Sequence, residues 1–182
     1  MKSKKVWIII LSIVIVIILA LGGFFLYQYF KPVTLSASDG SFTVTIPGTV
    51  KFETRSSTDA DYTLDLYSVD DKMFFNTTSA EKTGEINLLD AVNQERVNVA
   101  QYHSSTKDIS EASEIAIKDY KAYGYTYQYH DIDFNDDIYC QIVWIETDTH
   151  IYVLDLEVVA SNREKYEPIF QEIISSFTET IS

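Results

Sequence analysis

The chain has 182 residues, 27 Asp and Glu against 14 Lys and Arg, and a formal net charge of −13 at pH 7. So acidic a surface repels nucleic acid and anionic lipid headgroups. A single cysteine rules out an intramolecular disulfide, and 13 Tyr with 10 Phe rule out a disordered acidic tail.

The first predicted element is Val6 to Phe30, 25 residues without a charge. As a helix it reaches roughly 37 Å, enough to cross a hydrocarbon core of about 30 Å. Lys2, Lys4 and Lys5 precede it, which predicts a cytoplasmic N-terminus and an extracytoplasmic C-terminal domain. Trp7 at one end and Phe24, Phe25, Tyr27, Tyr29 and Phe30 at the other suit the two membrane interfaces, and Pro32 stops the helix. The alternative is a cleaved signal peptide with a small-x-small site at Ala20-Leu21-Gly22. Against it, the apolar run continues to Phe30, and cleavage would leave a sticky terminus. Cys140 lies too far along the chain to carry an N-terminal lipid. The expected organisation is a cytoplasmic N-terminus (1–5), a single-span anchor (6–30), a junction (31–40) and one extracytoplasmic domain (41–182). An exported domain of this size without disulfides points to a bacterial source.

Beyond the junction, Ser41 to Ile46 alternates with Phe42, Val44 and Ile46 on one face, a strand ended by Pro47-Gly48. Val50 and Phe52 suggest a short return strand. Arg55 to Asp61 reads as a polar loop, and Tyr62–Val69 with Met73–Thr78 as a hairpin around Asp70-Asp71-Lys72. Leu88, Leu89, Val92, Val99 and Tyr102 give Leu88 to His103 a helical stripe, with Asn87 and Asp90 placed to cap it. The spacing favours a strand around Glu114 to Ile117. Three strands follow: Tyr123–His130, Asp137–Thr147 and His150–Ala160. Ser161 and Glu164 form a capping-box pattern before the last helix, with Pro168 near its start and Ile169, Phe170, Ile173, Ile174 and Phe177 on its apolar face. The order strands, helix, strands, helix predicts an α+β fold with a largely antiparallel sheet and a helix on each face.

The Phe42-Thr43-Val44-Thr45-Ile46-Pro47 opening, the central helix, the aromatic strand at Tyr123-Gly124 and the ending Ile173-Ile174-Ser175-Ser176-Phe177 resemble the PsbP-like family. The resemblance spans about Phe42 to Phe177. It implies a three-layer α/β/α sandwich around an antiparallel sheet. It also implies an accessory or binding protein rather than an enzyme, since the family includes photosystem subunits, a Ran-binding protein and bacterial surface lipoproteins. No residue here matches a photosystem or Ran-binding site, and a helical anchor replaces the lipid of the lipoproteins.

The chain has no nucleophile elbow, zinc-protease motif, P-loop or dinucleotide fingerprint, and no cofactor is expected. Asp131, Asp133 and Asn135 mimic the start of a calcium loop. Asp136 then stands where the turn glycine belongs and Ile142 where the bidentate Glu belongs, so a solvated turn is expected. Tyr123, Tyr125, Tyr127 and Tyr129 share one face of a strand, as sheet core or as a binding platform. A tight turn at Asp148-Thr149 pairs Ile145 with Tyr152 and Val143 with Leu154, making that face core. On the other face Cys140, Ile142 and Trp144 lie opposite Glu157, Asp155 and Val153. Carboxylates there are expensive to bury, so Trp144, Asp155 and Glu157 are expected beside a partly covered groove, unless a helix covers the face and a base neutralises the acids. The functional expectation is a membrane-anchored, non-catalytic binding or accessory module with a protein partner at the membrane surface and no nucleic acid. The alternative is a metal-assisted hydrolase using His130 or His150 with nearby carboxylates.

Overall fold

The computed structural model describes residues 2–54, 62–69, 72–102 and 105–180. It begins with α1 (Lys2–Phe30), followed directly by β1 (Val33–Ser36) and β2 (Phe42–Ile46). The stretch expected as a polar junction therefore holds a strand. β1 pairs antiparallel with β2, Val33 opposite Ile46 and Leu35 opposite Val44, and so satisfies a backbone edge that β2 would otherwise leave open.

Next come β3 (Phe52–Thr54), β4 (Leu64–Ser68), β5 (Met73–Glu81) and α2 (Leu88–Tyr102). They are followed by β6 (Ser113–Glu114), β7 (Lys121–Asp131), β8 (Asp136–Glu146), β9 (His150–Val159), α3 (Arg163–Ser176) and β10 (Thr178–Glu179). The main sheet has seven antiparallel strands in the order β3-β4-β5-β9-β8-β7-β6, and a second sheet has the order β1-β2-β10. β3 is thus a partner of β4 and not a return strand on β2.

The register of the last hairpin is the expected one: Ile145 faces Tyr152 and Val143 faces Leu154. That face of the sheet is core. Phe75, Tyr139, Val143, Ile145, Tyr152, Leu154 and Leu156 are buried there under Tyr166, Phe170, Ile173 and Ile174 of α3 and Phe42 and Val44 of β2. α2 lies on the opposite face, where Leu88, Val92 and Val99 bury Tyr125, Tyr127, Tyr129, Cys140 and Ile142. The result is an α/β/α sandwich whose α3 layer also carries the small sheet.

The two faces are covered unequally. The centre of β8, from Ile138 to Val143, is buried at every position, as a strand with a layer on both sides must be. β9 alternates buried with half-buried, because α2 sits over β7 and β8 and leaves the second face of β9 and β5 less covered. β7 lies tight against β8 at Gly124, where a Cβ would come 2.7 Å from the Ile142 carbonyl oxygen.

Local signals also split. Asn87 caps α2 as expected: its Oδ1 accepts from the Asp90 amide at 3.4 Å, and its Nδ2 donates to Asp90 Oδ2 at 2.7 Å. Tyr102, expected on the apolar stripe, is 63% exposed as the last residue of α2. The capping box does not form. A 3-10 turn takes up Ala160–Asn162, so Ser161 is inside it and α3 starts at Arg163 with no side-chain cap. Pro168 is accommodated within α3 at the cost of one backbone hydrogen bond.

Candidate functional site

The second face of the sheet carries the residues singled out above. From β7 across to β4, one cross-strand row is Tyr125, Ile142, Asp155, Asn76 and Asp65, and the row on the side of the β8–β9 turn is Tyr123, Trp144, Val153 and Thr78. Tyr125, Tyr127 and Tyr129 are 3, 4 and 7% exposed and stack at ring separations of 6.1 and 6.3 Å. They are sheet core under α2 and offer no platform to solvent; Tyr123, at the end of the row, is half-buried. Burial raises the pKa of the Tyr125, Tyr127 and Tyr129 hydroxyls and of the Cys140 thiol, which leaves Cys140 a neutral, enclosed side chain unsuited to nucleophilic work.

Asp155 and Glu157 lie half-buried on the same face. Asp155 Oδ1 is sealed from solvent and has no hydrogen-bond partner. Asn76, directly opposite, points its amide nitrogen at Asp65 Oδ1 (2.7 Å) and the Phe75 carbonyl oxygen (3.2 Å). Glu157 accepts a hydrogen bond from Tyr129. Among the described residues no Lys, Arg or His is ion-paired to either carboxylate. Arg96, the basic residue of α2, turns instead to the Ser110 carbonyl oxygen (3.3 Å) and to Glu111 (3.1 Å). Burial, then the charge of Glu157, pushes the Asp155 carboxyl well above its ordinary range; burial, then Asp131, raises Glu157.

A cleft of about 800 Å³ does open beside Trp144. Its wall is formed by Trp144 with Ile86, Val153 and Tyr62, and its rim by Asp39 and Ser79 among other polar groups. Contrary to the sequence expectation for Trp144, Asp155 and Glu157 lie one and two rows further along β9 and do not line the cleft. The reason is position along the strand: the cleft opens at the row of Trp144 and Val153, nearer the β8–β9 turn than either acid. Trp144 is half-buried, and its indole N–H is shut off from solvent without an acceptor. Ser38 and Asp39 of the β1–β2 turn belong to the cleft, and Ser38 is eight residues past the end of α1 at Phe30, a reach of up to about 26 Å of extended chain. Hydrophobic alternation could not have shown Asp39, Ser79 or Tyr62, because they come from turns and strand ends that only the fold assembles.

The hydrolase alternative needs a histidine that meets several carboxylates. His130 Nδ1 lies 3.0 Å from Asp137 Oδ1, and Lys107 holds the other carboxylate oxygen at 2.8 Å. That Lys107 bond, followed by the one to His130, lowers the pKa of Asp137. His150 sits at the opposite end of β8, roughly 30 Å away along the strand, and 3.9 Å from Glu179 Oε1. Among the described residues no three His, Cys, Asp or Glu side chains converge as a metal-binding set. His103 lies outside the described residues. At the calcium-like turn, Asp131 Oδ1 accepts from the Asp133 and Phe134 amides at 2.8 and 3.0 Å, Asp136 Oδ1 accepts from the Asp137 amide at 2.9 Å, and Asn135 takes φ +50°. These carboxylates hold the turn itself. Millimolar calcium should therefore leave the melting temperature unchanged. Specific binding at 100 times its dissociation constant would add about 2.7 kcal/mol, and a saturable shift of that size lost in Asp133→Ala would contradict this reading.

Several solved structures share the architecture. The solution structure of cyanobacterial PsbP (CyanoP) from Synechocystis sp. PCC 6803 superposes with a TM-score of 0.58 at 12% identity, covering 83% of this chain and 94% of that one. LpqN, involved in cell envelope biogenesis of Mycobacterium tuberculosis, gives 0.56 at 12% identity over 83% and 91%. The Saccharomyces cerevisiae Ran-binding protein Mog1p gives 0.54 at 12% identity over 82% and 95%. The domain after α1 thus has the PsbP-like fold, as the resemblance implied. No family model and no curated protein matches the sequence.

Proposed function

We propose that this protein is a membrane-tethered, extracytoplasmic binding module, and that the cleft beside Trp144 receives a segment of a protein partner at the membrane surface. The observation that carries this reading is the cleft itself: an 800 Å³ hollow with an aromatic and aliphatic wall and a polar rim, in the size range of binding pockets. Its aromatic wall residue, Trp144, is of the type that dominates binding hot spots. The apolar α1, whose Ile13–Phe30 segment is long and apolar enough to cross a membrane, supports the tether. The lysines before it support a cytoplasmic N-terminus. Mog1p is by its name a Ran-binding protein, which supports binding as work this fold does.

The test is photocrosslinking in the native membrane with benzoylphenylalanine in place of Thr78, which lies opposite Val153 in the cleft. A partner adduct should form and should be lost in Trp144→Ala. Because Trp144 is half-buried, Ala80→Arg on the exposed rim is the companion variant; it should block the adduct without moving the melting temperature. Adducts that persist in both variants would place the partner elsewhere.

A further inference from the structure

A second hollow, of about 370 Å³, lies where α1 meets the domain. We propose that it holds one acyl chain of an anionic phospholipid from the outer leaflet, with the lipid phosphate on Lys31 and Lys51. This rests on α1 spanning the membrane. Val33, Leu35, Ile46, Phe52 and Leu66 line the hollow. Val33 is 53% exposed, and Leu35 and Phe52 are half-buried, so its mouth presents apolar surface to its surroundings. In water that surface is a liability; against a bilayer it is a seat for hydrocarbon.

The position fits the membrane. With Lys2, Lys4 and Lys5 at the inner surface, about 20 residues of α1 fill the hydrocarbon core and its last aromatic turn lies among the outer headgroups. Lys51 belongs to the domain, yet its ammonium sits 4.4 Å from the Tyr29 ring centroid and donates to the Tyr29 carbonyl. It is therefore held at headgroup depth, with Lys31 following α1 directly.

The charge fits as well. Lys82, Arg96, Lys107, Lys121 and Arg163 are each ion-paired to a carboxylate of the domain. Lys31 and Lys51 enter no such pair among the described residues. Glu53 also lines the hollow, its carboxylate accepting the Tyr67 hydroxyl at 2.8 Å. Two cations and one anion leave a local charge near +1, matched to one phosphate. Repulsion of anionic headgroups, expected from the net charge, thus describes the rest of the domain and not this rim.

The test uses the full chain in nanodiscs of phosphatidylcholine with and without phosphatidylglycerol, and benzoylphenylalanine in place of Leu35. Mass spectrometry should find phosphatidylglycerol adducts, reduced by roughly tenfold when Lys31→Glu is combined with Lys51→Glu. Lys31→Gln with Lys51→Gln should show the same direction if charge reversal disturbs the fold. The probe at Thr78, in the distal cleft, should give no lipid adduct. The lipid site is overturned if Leu35 yields no adduct while the protein resists alkaline carbonate extraction. It is equally overturned if both lipids crosslink alike regardless of the lysines, or if Thr78 captures lipid as well. Release by carbonate would instead overturn the anchor, and this site with it.

Discussion

Replacing Phe177 with alanine should cost about 3–5 kcal/mol, the range for emptying a buried aromatic site. Phe177 is fully buried just past the end of α3. Its ring lies 5.3 Å from Phe42 on β2, 5.1 Å from Tyr152 on β9 and 5.5 Å from Tyr120. These neighbours belong to three separate parts of the chain, each fixed by its own backbone hydrogen bonds, so the hole cannot close by a small shift. The loss also reaches the second sheet, because β10 follows Phe177 immediately and pairs with β2 at Thr178 and Glu179. Chemical denaturation of the full chain in detergent, followed by near-ultraviolet circular dichroism, measures the effect. A loss below about 1 kcal/mol would mean that α3 is not docked through this ring. Phe134→Ala is the control, since that ring is 59% exposed and its loss should stay near 0.5 kcal/mol.

The second large effect is on pH dependence. Asp155→Asn should stabilise the domain at neutral pH and flatten its stability curve on the alkaline side. The sign follows from the direction of the shift. The folded-state pKa of Asp155 lies well above the ordinary 3.8, because the buried site beside Glu157 disfavours its charge. Its contribution is therefore fully present below pH 3.8 and is lost as pH rises through the raised folded value. Over that window one such carboxyl costs about 1.4 kcal/mol per pH unit. Glu157, also raised, acts in the same direction. Asp137 and Glu146, held low by lysine partners, act oppositely and lose stability as pH falls, so the parent chain should be most stable at mildly acidic pH. Asn keeps the shape of Asp155 and removes its charge, so the difference between variant and parent reports Asp155 together with its interaction with Glu157. Melting curves across about pH 5 to 8 decide it. Parallel curves for the two proteins would mean that Asp155 reaches solvent and ionises freely.

What the sequence by itself determined are the features set by local periodicity. Alternation at period two placed Phe42, Val44 and Ile46 on the buried face of β2, and Val143 and Ile145 opposite Leu154 and Tyr152, because a one-residue slip would have turned every apolar side chain into water. The unbroken apolar run from Val6 to Phe30 set α1, and the lone Asn87 with Asp90 set the start of α2. Only the tertiary structure decided what depends on contacts between distant segments. β10, two residues near the C-terminus, completes a sheet with β2, some 135 residues earlier, and no local signal encodes that pairing. The fate of the second face was likewise undetermined. Tyr125, Ile142 and Asp155 occupy equivalent positions on their strands, but what becomes of each depends on where α2 comes to rest. α2 lies over β7 and β8. The tyrosines therefore became core, Asp155 Oδ1 was shut off from solvent without a hydrogen-bond partner, and the open cleft was left at the row of Trp144 and Val153.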